Sequence, residues 1–329
     1  MKAIVCDRYG TPDVLRLAEI EAPTPRDDEL LVRVRATGIN SWDWERLVGR
    51  PYILRAEGLL RPRDRILGAD VAGVVEAVGR DVRGVQPGDA VFGDLTAARW
   101  GGFAELVCAP QAVWTPKPDF LSFEQAAAVP QAGAMALLGV RRYGNVQAGH
   151  RVLVNGGGGG VGTFAIQMAK ALGATVTGVD RGSKLDLMRS LGADEVIDFA
   201  REDFTARGER YDLVLDMAMH RSLRAYRRAL RPGGTYVAVG GSLVRLLWML
   251  LCSGWIRRRH GVSMRVLAHR ANEGLAEICE MIRVGDVTPI IDRCHPLAEV
   301  PEALRRGLAG QVQGKLVITM DAAAGTGAP

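Results

Sequence analysis

A run of five glycines, Gly156–Gly160, carries the most specific chemical signal in this sequence. A short aliphatic stretch, Val152–Val154, precedes the run and is typical of a buried strand. A helical pattern follows it, and the glycines match the spacing G-x-G-x-x-G. This spacing permits a tight turn and lets a pyrophosphate approach the bare backbone N–H groups at the start of a helix. The pattern predicts that a dinucleotide contacts Gly157, Gly158, Gly159, Gly160, Val161 and Gly162.

An acidic residue, Asp180, ends the next predicted strand, close to the roughly 20 residues expected between the glycines and a ribose-binding carboxylate. A carboxylate there accepts hydrogen bonds from a ribose 2′-hydroxyl and repels a 2′-phosphate, which favours NAD(H). The neighbouring Arg181, Ser183 and Lys184 are residues that bind phosphate well. If Asp180 pairs with Arg181, the repulsion is partly cancelled. We therefore expect NADP(H) by a small margin over NAD(H), and both stay open.

No pattern of metal ligands accompanies the glycine run. The five histidines form no short-spaced pair, and no two of the five cysteines are spaced as C-x-x-C. The odd number of cysteines does not indicate a disulfide framework, so a reducing compartment is expected. The first residues enter a strand-like run without a signal-peptide pattern, and we expect a cytoplasmic protein.

The composition is that of a globular protein with about two domains in its 329 residues. The net charge of +5 arises from scattered pairs of arginines, such as Arg141–Arg142 and Arg227–Arg228. Scattered pairs usually mark solvated helix faces, whereas nucleic-acid binding requires a basic stripe with aromatic residues. We expect no nucleic-acid partner.

The predicted elements divide the chain into two parts. Up to about Lys117, short strands alternate with turns, which indicates an all-β, barrel-like unit without helices of any length. Ser122 and Gln125 then form a capping box, and strands alternate with helices as in a parallel α/β sheet. The last part of the chain again resembles the strand-rich first part: it has predicted strands at Val287–Ile291 and Lys315–Met320, with one helix, Val300–Leu308, between them. The predicted domains are 1–118 with 286–329, and 119–285; residues 321–329 are expected to be a disordered tail.

Several longer motifs, taken together, resemble the medium-chain dehydrogenase/reductase superfamily, and within it the zinc-free quinone oxidoreductase-like branch. They are GADVAGVVEAVG (68–79), VQPGDAVFG (85–93), GGFAELV (101–107), NGGGGGVGTFAIQMAK (155–170), SLGADEVIDF (190–199), RALRPGGTYVAVGG (228–241) and GKLVI (314–318). The resemblance implies an α/β fold in which a Rossmann doubly wound parallel sheet domain is inserted after a GroES-like β-barrel domain. It also implies an active site in the cleft between the domains, and a homodimer formed through edge strands of the Rossmann sheets.

The zinc-dependent members of the superfamily hold a catalytic metal with Cys, His and Cys, and the matching positions here are Asn40, Ala69 and Gln131. None of these is a thiolate or an imidazole, so we expect no zinc. Hydride delivery from NAD(P)H to an electrophilic acceptor, a quinone or an α,β-unsaturated carbonyl, remains feasible without a metal. A small lipophilic carbonyl compound or quinone is the expected substrate. Two other interpretations stay open: a non-catalytic nucleotide-binding relative with a structural or RNA-binding role, and a zinc alcohol dehydrogenase.

Candidate catalytic residues are Asn40, whose carboxamide can bond ribose or substrate, and Tyr52, a potential proton source. Asn40 is also explained as a turn residue capping the following segment, and Tyr52 as an ordinary half-buried aromatic. Trp42 and Trp44 fit either an apolar pocket or the core.

On the nicotinamide side, Val239, Gly240, Gly241 and Lys315 match family positions. They are equally explained as sheet-end turn residues and a surface lysine. Met135 stands where the family usually has a Thr, so a hydroxyl expected near the nicotinamide is missing.

An apolar stretch, Leu246–Ile256, is followed directly by Arg257, Arg258 and Arg259. It is too short to span a bilayer, which needs about 20 apolar residues. Three interpretations remain: a helical lid over the substrate cleft, a subunit contact, or a peripheral membrane contact through Leu246–Arg259 with its arginines at the headgroups.

Overall fold

The computed structural model describes residues 1–55, 58–59 and 61–320. These residues form two compact units. The first consists of Met1–Gln131, Ala271–Leu275 and the described residues from Ile290 onward; the second consists of Ala132–Arg270 and Ala276–Pro289. The expected tail, residues 321–329, lies outside the described residues.

Regular secondary structure covers most of this described part of the chain. Its strands are β1 (Lys2–Cys6), β2 (Leu15–Glu19), β3 (Glu29–Gly38), β4 (Asp70–Val78), β5 (Ala90–Asp94), β6 (Leu106–Pro110), β7 (Thr115–Pro116), β8 (Arg151–Asn155), β9 (Thr175–Asp180), β10 (Glu195–Asp198), β11 (Tyr211–Asp216), β12 (Leu230–Ala238), β13 (Ser263–Val266), β14 (Ile291–Pro296) and β15 (Lys315–Thr319). Its α-helices are α1 (Ser41–Val48), α2 (Phe123–Ala128), α3 (Pro130–Leu137), α4 (Gly160–Ala171), α5 (Leu185–Ser190), α6 (Leu223–Arg228), α7 (Leu243–His260), α8 (Leu275–Arg283) and α9 (Val300–Leu308).

The first unit is built on the long strand β3. Val32, Val34 and Ala36 alternate with the exposed Arg33 and Arg35, so one face of the strand enters the core while the other stays in solvent. β3 pairs with β4, β6 and β15 in a largely antiparallel sheet of order β14-β15-β3-β4-β5-β7. This arrangement brings β15, from the end of the chain, beside strands from its beginning.

The prediction that this unit lacks helices of any length is wrong. Helix α1 follows β3 closely, and its first turn is fixed by Asp43, whose carboxylate accepts a hydrogen bond from the backbone N–H of Asn40 at 2.7 Å. Gly49 ends the helix in the left-handed conformation, with a φ of 65°. An acidic N3 residue and a glycine after the last turn are ordinary helix boundary signals.

The second unit contains a six-stranded parallel sheet of order β10-β9-β8-β11-β12-β13. The predicted doubly wound parallel sheet is therefore confirmed. The chain order reverses between β8 and β11, and in open sheets of this kind ligands bind at the carboxyl ends of the strands beside that point. β10 and β13 are the edges, and the expected pairing of two copies through such an edge stays a prediction.

The predicted capping box is confirmed: the Ser122 and Gln125 side chains each accept a hydrogen bond from the other residue's backbone N–H. The helix it begins, α2, packs on β3, β4 and β15, so the first unit extends to Gln131 rather than to residue 118.

The strand predicted at Val287–Ile291 begins only at Ile291. The backbone N–H and C=O of Thr288 are bonded to the Gln167 side chain instead, and the N–H of Val287 is bonded to the end of α8. These groups are therefore not available to a neighbouring strand.

Candidate active site

The glycine turn between β8 and α4 is held from within the protein. The backbone N–H groups of Gly156 and Gly157 donate to the carbonyl oxygen of Val179 at 2.8 and 3.1 Å. Gly159 is the N-cap of α4, and it has no side chain to accept from the first turn of the helix. The first N–H groups of an α-helix have no intrahelical acceptor, so this helix start is a ready anion site.

The glycines of the turn are required for different reasons. A Cβ on Gly162 would lie 2.1 Å from the carbonyl oxygen of Gly156, so α4 packs against the turn only if this residue is glycine. A Cβ on Gly159 would meet a single atom, at 3.5 Å, and the φ of −92° suits any residue. Neither backbone strain nor crowding within the described chain explains a glycine at 159. A ligand that must approach the backbone does, as expected for a diphosphate.

Asp180 braces the turn from the end of β9. Its carboxylate accepts hydrogen bonds from the N–H of Gly158 at 2.9 Å and from its neighbour's N–H at 2.8 Å. The cation beside it is Lys184, with Nζ 3.8 Å from Oδ1, and both side chains are buried. The condition considered from the sequence, a pair between Asp180 and the Arg181 guanidinium, is not met among the described contacts, because Arg181 bonds the carboxylate through its backbone N–H. The Arg181 and Ser183 side chains stay exposed at the strand end.

The other predicted cofactor residues of this unit lie at the same edge of the sheet. Val239, Gly240 and Gly241 follow β12, as the glycine turn follows β8 and Asp180 ends β9. Parallel strands present their carboxyl ends at one edge, so the structure brings these residues together. A Cβ on Gly240 would lie 2.6 Å from the carbonyl oxygen of Met217, so close packing within the protein also requires that glycine.

A buried carboxylate at the end of β11 was missed in the sequence. Asp216 accepts hydrogen bonds from the Asn155 carboxamide and the Tyr236 hydroxyl, both at 2.8 Å, and from two backbone N–H groups of the loop after it. It thereby ties β8, β11 and β12 together beside the point where the chain order reverses. An acidic residue closing an apolar strand, as Asp216 does in YDLVLD, was the available signal.

The first unit contains a second polar cluster, centred on the buried carboxylate of Asp70. Lys315 Nζ lies 3.4 Å from Asp70 Oδ2, and it donates to Asn40 Oδ1 at 2.5 Å and to the carbonyl oxygen of Ile39 at 3.0 Å. Asn40 Nδ2 donates to Asp70 Oδ2 at 2.9 Å, and the backbone N–H of Gln131 donates to Oδ1 at 3.2 Å. Sequence reasoning named Asn40 and Lys315 but missed Asp70, which lies within the motif GADVAG.

One interpretation of these residues needs correction. The alternative explanation of Lys315 as a surface lysine is wrong, since its side chain is only 3% exposed. Asn40 is the N-cap residue of α1, as one interpretation proposed, and Asp43 takes part in the capping box by accepting from its backbone N–H. The Asn40 carboxamide also bonds Asp70 and Lys315.

The carboxamide nitrogen of Gln131 stands out in this cluster. Gln131 is buried, and Nε2 has no hydrogen-bond partner among the described residues. A buried donor without an acceptor costs about 1–3 kcal/mol. Such a group is suited to an acceptor that arrives with a ligand, for example a carbonyl oxygen.

Burial shifts the titration of both carboxyl groups upward. The pKa of Asp43 rises to about 7, because desolvation outweighs the two backbone N–H groups, of Asn40 and Gly68, that favour its charged form. The pKa of Asp70 rises to about 6 by the same cause, and the neighbouring Lys315 ammonium limits the rise.

These shifts predict a pH dependence of stability. A carboxyl whose pKa is raised by folding binds its proton more tightly in the folded state, so its contribution is present at low pH and is lost as the pH rises through the folded pKa. For Asp43, with a pKa of about 7, we expect the first unit to be about 1 kcal/mol more stable at pH 6 than at pH 8. Urea denaturation at both pH values measures the difference.

Asp43→Asn should flatten this dependence, and Asp13→Asn is the matched control because Asp13 is exposed and its pKa is lowered by Arg305. Equal or lower stability of the native sequence at pH 6 would contradict the shift.

The remaining predicted site residues are placed as follows. Tyr52 lies on a 3₁₀ turn, Tyr52–Arg55, and its side chain is 66% exposed, so it is not a half-buried aromatic. The guanidinium of Arg55 lies 5.2 Å from the centre of its ring. Trp42 and Trp44 are partly buried against the core of the first unit, which supports their role in packing.

The residues do not fit a catalytic zinc. Asn40 and Gln131 offer neutral amides and Ala69 offers no donor at all, whereas catalytic zinc needs three protein ligands. Within the described parts of the chain, no group of three or more His, Cys, Asp and Glu side chains is arranged to hold a metal ion. By contrast, the glycine turn and the start of α4 fit a dinucleotide.

Comparison with known proteins agrees with this fold. Residues 26–119 match the family model described as "Alcohol dehydrogenase GroES-like domain", and residues 191–318 match the one described as "Zinc-binding dehydrogenase". The chain is 32% identical to 2-methylene-furan-3-one reductase from Solanum lycopersicum, over 97% of this chain and 79% of that protein.

Two solved structures extend the comparison. The quinone oxidoreductase from Coxiella burnetii superposes with a TM-score of 0.87 at 29% identity, covering 98% of this chain and 99% of that one. Mycobacterial Rv1454c complexed with NADPH superposes with a TM-score of 0.84 at 26% identity, covering 97% and 99%.

The chain belongs to the medium-chain dehydrogenase/reductase superfamily, in its quinone oxidoreductase-like branch, as the sequence motifs predicted. The GroES-like and Rossmann parts expected from the motifs are likewise confirmed. Its relatives are oxidoreductases of the NAD(P)H-dependent kind.

Proposed function

We propose that this protein uses NADPH to reduce a quinone or an α,β-unsaturated carbonyl compound, without a zinc ion. The observation that carries the proposal is Gly159, a glycine at the N-cap of α4 that neither strain nor packing explains. A dinucleotide whose diphosphate rests on this turn accounts for it. The names of the relatives support the acceptor class: one is an enone reductase and another a quinone oxidoreductase.

The polar cluster of the first unit supplies hydrogen-bond donors in place of a metal. Asn40 is held by Asp70 and Lys315, and Gln131 is fixed through its backbone N–H to the same carboxylate. We assign to the Asn40 and Gln131 carboxamides the binding of the acceptor's carbonyl oxygen. Donors fixed in advance stabilise the negative charge that develops on such an oxygen, because they need no reorganisation during the reaction.

The proposed reaction balances without a metal. A bound reduced nicotinamide supplies a hydride to the electrophilic carbon of the acceptor. With an enone the hydride would add to the β-carbon, the C=C electron pair would form the double bond of the enolate, and the C=O electron pair would move to the oxygen, where the amide N–H groups stabilise the charge. A proton from solvent completes the reduced product. Simple alcohols are poor substrates in the reverse direction, since no Lewis acid lowers the pKa of the hydroxyl.

The assay follows the consumption of NADPH with benzoquinone and, separately, with cyclohexenone. A third reaction follows the formation of NADPH from NADP⁺ and a primary alcohol. The zinc content of the protein is measured beforehand. We expect turnover with the first two and none with the alcohol, at a zinc content far below one equivalent. Binding of NADPH without turnover across quinones and enones would favour the non-catalytic alternative. Alcohol oxidation that follows the zinc content would favour the zinc dehydrogenase.

The preference for NADPH is inferred from the end of β9. Asp180 is buried and bound to two backbone N–H groups and Lys184, whereas the Arg181 and Ser183 side chains are exposed there. We expect Arg181→Gln to lower kcat/KM for NADPH by about tenfold or more, because a charge-assisted phosphate contact contributes about 1.5–3 kcal/mol.

In the Arg181→Gln variant, kcat/KM for NADH should change little. Arg201→Gln is the matched control, since its side chain is 87% exposed on the loop after β10. Equal losses with NADPH and NADH would contradict a contact with the 2′-phosphate.

A further inference from the structure

Helix α7 exposes an extended apolar face. Half of the large hydrophobic side chains that the described residues expose lie on this one helix, and Leu251 and Trp255 are 78% and 64% exposed. The members of this apolar face are Leu243, Val244, Leu247, Trp248, Leu250, Leu251 and Trp255. Their spacing of one, three, four and seven residues places them on one side of a helix. Exposed patches of this kind mark interaction surfaces.

The apolar face is not needed to hold the helix in place. α7 packs on β13, and its inward residues Met249 and Ile256 are buried in the core of the second unit. Ser242 caps its first turn with a side-chain hydrogen bond, and Gly261 ends it in the left-handed conformation. The side chains of the outward half remain 39–78% exposed, so a large part of their apolar surface is left in contact with solvent.

The charges of the helix favour a partner that is both apolar and anionic. The segment Leu243–His260 contains no Asp or Glu, and its last turn carries Arg257, Arg258 and Arg259, all exposed. Successive residues are about 100° apart on a helix, so Arg257 and Arg259 lie on either side of the apolar face. The other arginine of the helix, Arg245, donates to the carbonyl oxygen of Met219.

The length of α7 does not suit a helix that spans a membrane. Eighteen residues extend about 27 Å at 1.5 Å per residue. Among the described residues, no helix combines the length and apolarity needed to cross a bilayer. A helix with leucines and tryptophans on one side and arginines at its margin is suited to lie in the plane of the interface, with its rings at the level of the headgroups.

We propose that the apolar face of α7 binds the surface of an anionic phospholipid membrane. Its leucines and tryptophans enter the boundary between headgroups and acyl chains, and Arg257–Arg259 bind lipid phosphates. A second copy of this chain is the less suitable partner, because α7 brings no carboxylate to meet the arginines. The proposal is independent of the acceptor that the protein reduces.

Vesicle flotation of the full chain tests the proposal. The native sequence should float with vesicles of phosphatidylcholine and phosphatidylserine, and far less with phosphatidylcholine alone. The variant L247S/L251S/W255S should stay in the bottom fraction. The matched control L17S/V284S/L308S removes three exposed hydrophobic side chains elsewhere and should float like the native protein. Circular dichroism checks that each variant is folded.

The contribution of the three arginines at the end of α7 is tested separately. R257Q/R258Q/R259Q should lower the partition coefficient on anionic vesicles by roughly a hundredfold, since each arginine near such a surface contributes about a fivefold factor. The control R8Q/R26Q/R80Q changes the net charge equally at exposed arginines of the first unit, and its binding should fall much less.

Any one of four results would overturn the proposal. The native protein does not float with anionic vesicles, or it floats equally well without the apolar face. If the native protein does not float and sedimentation shows that it is a dimer which the substitutions L247S/L251S/W255S dissociate, the apolar face is assigned to a second copy. If the native protein does not float and the same variant loses turnover with a soluble quinone, the apolar face is assigned to a lid.

Discussion

Lys315→Met is expected to lower the free energy of unfolding of the first unit by about 3–5 kcal/mol, because it leaves the buried carboxylate of Asp70 without its cation. Lys315 and Asp70 are 3% and 0% exposed, so water cannot replace the ammonium group. The substitution also removes the donor to Asn40 Oδ1 and to the carbonyl oxygen of Ile39. Urea denaturation is the measurement, in a background of Trp248→Phe and Trp255→Phe, so that the remaining tryptophans all report on the first unit.

Arg80→Met is the matched control, because it lies in the same unit. Arg80 lies 2.7 Å from Asp27, closer than Lys315 lies to Asp70, but the two side chains are 77% and 55% exposed. An exposed pair contributes about 0–1 kcal/mol, so burial rather than distance decides the effect. Adding Asp70→Asn to Lys315→Met should recover part of the loss, because it removes the unpaired charge. A loss below about 1 kcal/mol for Lys315→Met would contradict a charged, buried pair.

Gly159→Ala is expected to weaken NADPH binding by about 100-fold while leaving the fold intact. A methyl group at this position fits the free protein, where it meets only the carbonyl oxygen of Gly156 at 3.5 Å. It would stand between the backbone and the diphosphate, and the loss of a hydrogen bond to a charged group costs about 1.5–3 kcal/mol, which is up to about 100-fold in affinity. Calorimetric titration with NADPH and with NADH gives the dissociation constants, and thermal denaturation without cofactor gives the stability.

Gly162→Ala is the contrasting variant. Its Cβ would lie 2.1 Å from the carbonyl oxygen of Gly156 and 2.6 Å from Gly157 Cα, so the turn itself must move. Overpacking of this kind costs about 1–3 kcal/mol, and the melting temperature of the second unit should fall even without cofactor. Native affinity in Gly159→Ala would show that the diphosphate lies elsewhere.

The second unit could be predicted from the sequence because its signals are local. The strand, the glycine spacing, the helix and Asp180 all lie within one stretch of chain, and the turn forms there as expected. The pair left open from the sequence, between Asp180 and the Arg181 guanidinium, is replaced by other partners for a geometric reason. A residue at the end of β9 reaches its own following turn through backbone N–H groups, and Lys184, four residues later, points back to it.

The polar cluster of the first unit could not be derived in the same way. Lys315 meets Asp70 across 245 residues and Asn40 across 275 residues of chain. The sequence immediately around each of these three residues does not indicate which residue it contacts. The family resemblance named Asn40, Gln131 and Lys315, but the carboxylate that joins them became evident only once β15 was seen to pair with β3.

The measurement that tests the central claim most directly follows the hydride itself. Protein of known zinc content is incubated with NADPH that carries deuterium at both C4 positions of the nicotinamide and with cyclohexenone, and the product is analysed by mass spectrometry. We expect saturated ketone with one deuterium at its β-carbon, formed without zinc by the native protein and far more slowly by Gly159→Ala. Unlabelled product, an allylic alcohol, or formation that depends on added zinc would contradict metal-independent hydride transfer from a dinucleotide held on the glycine turn.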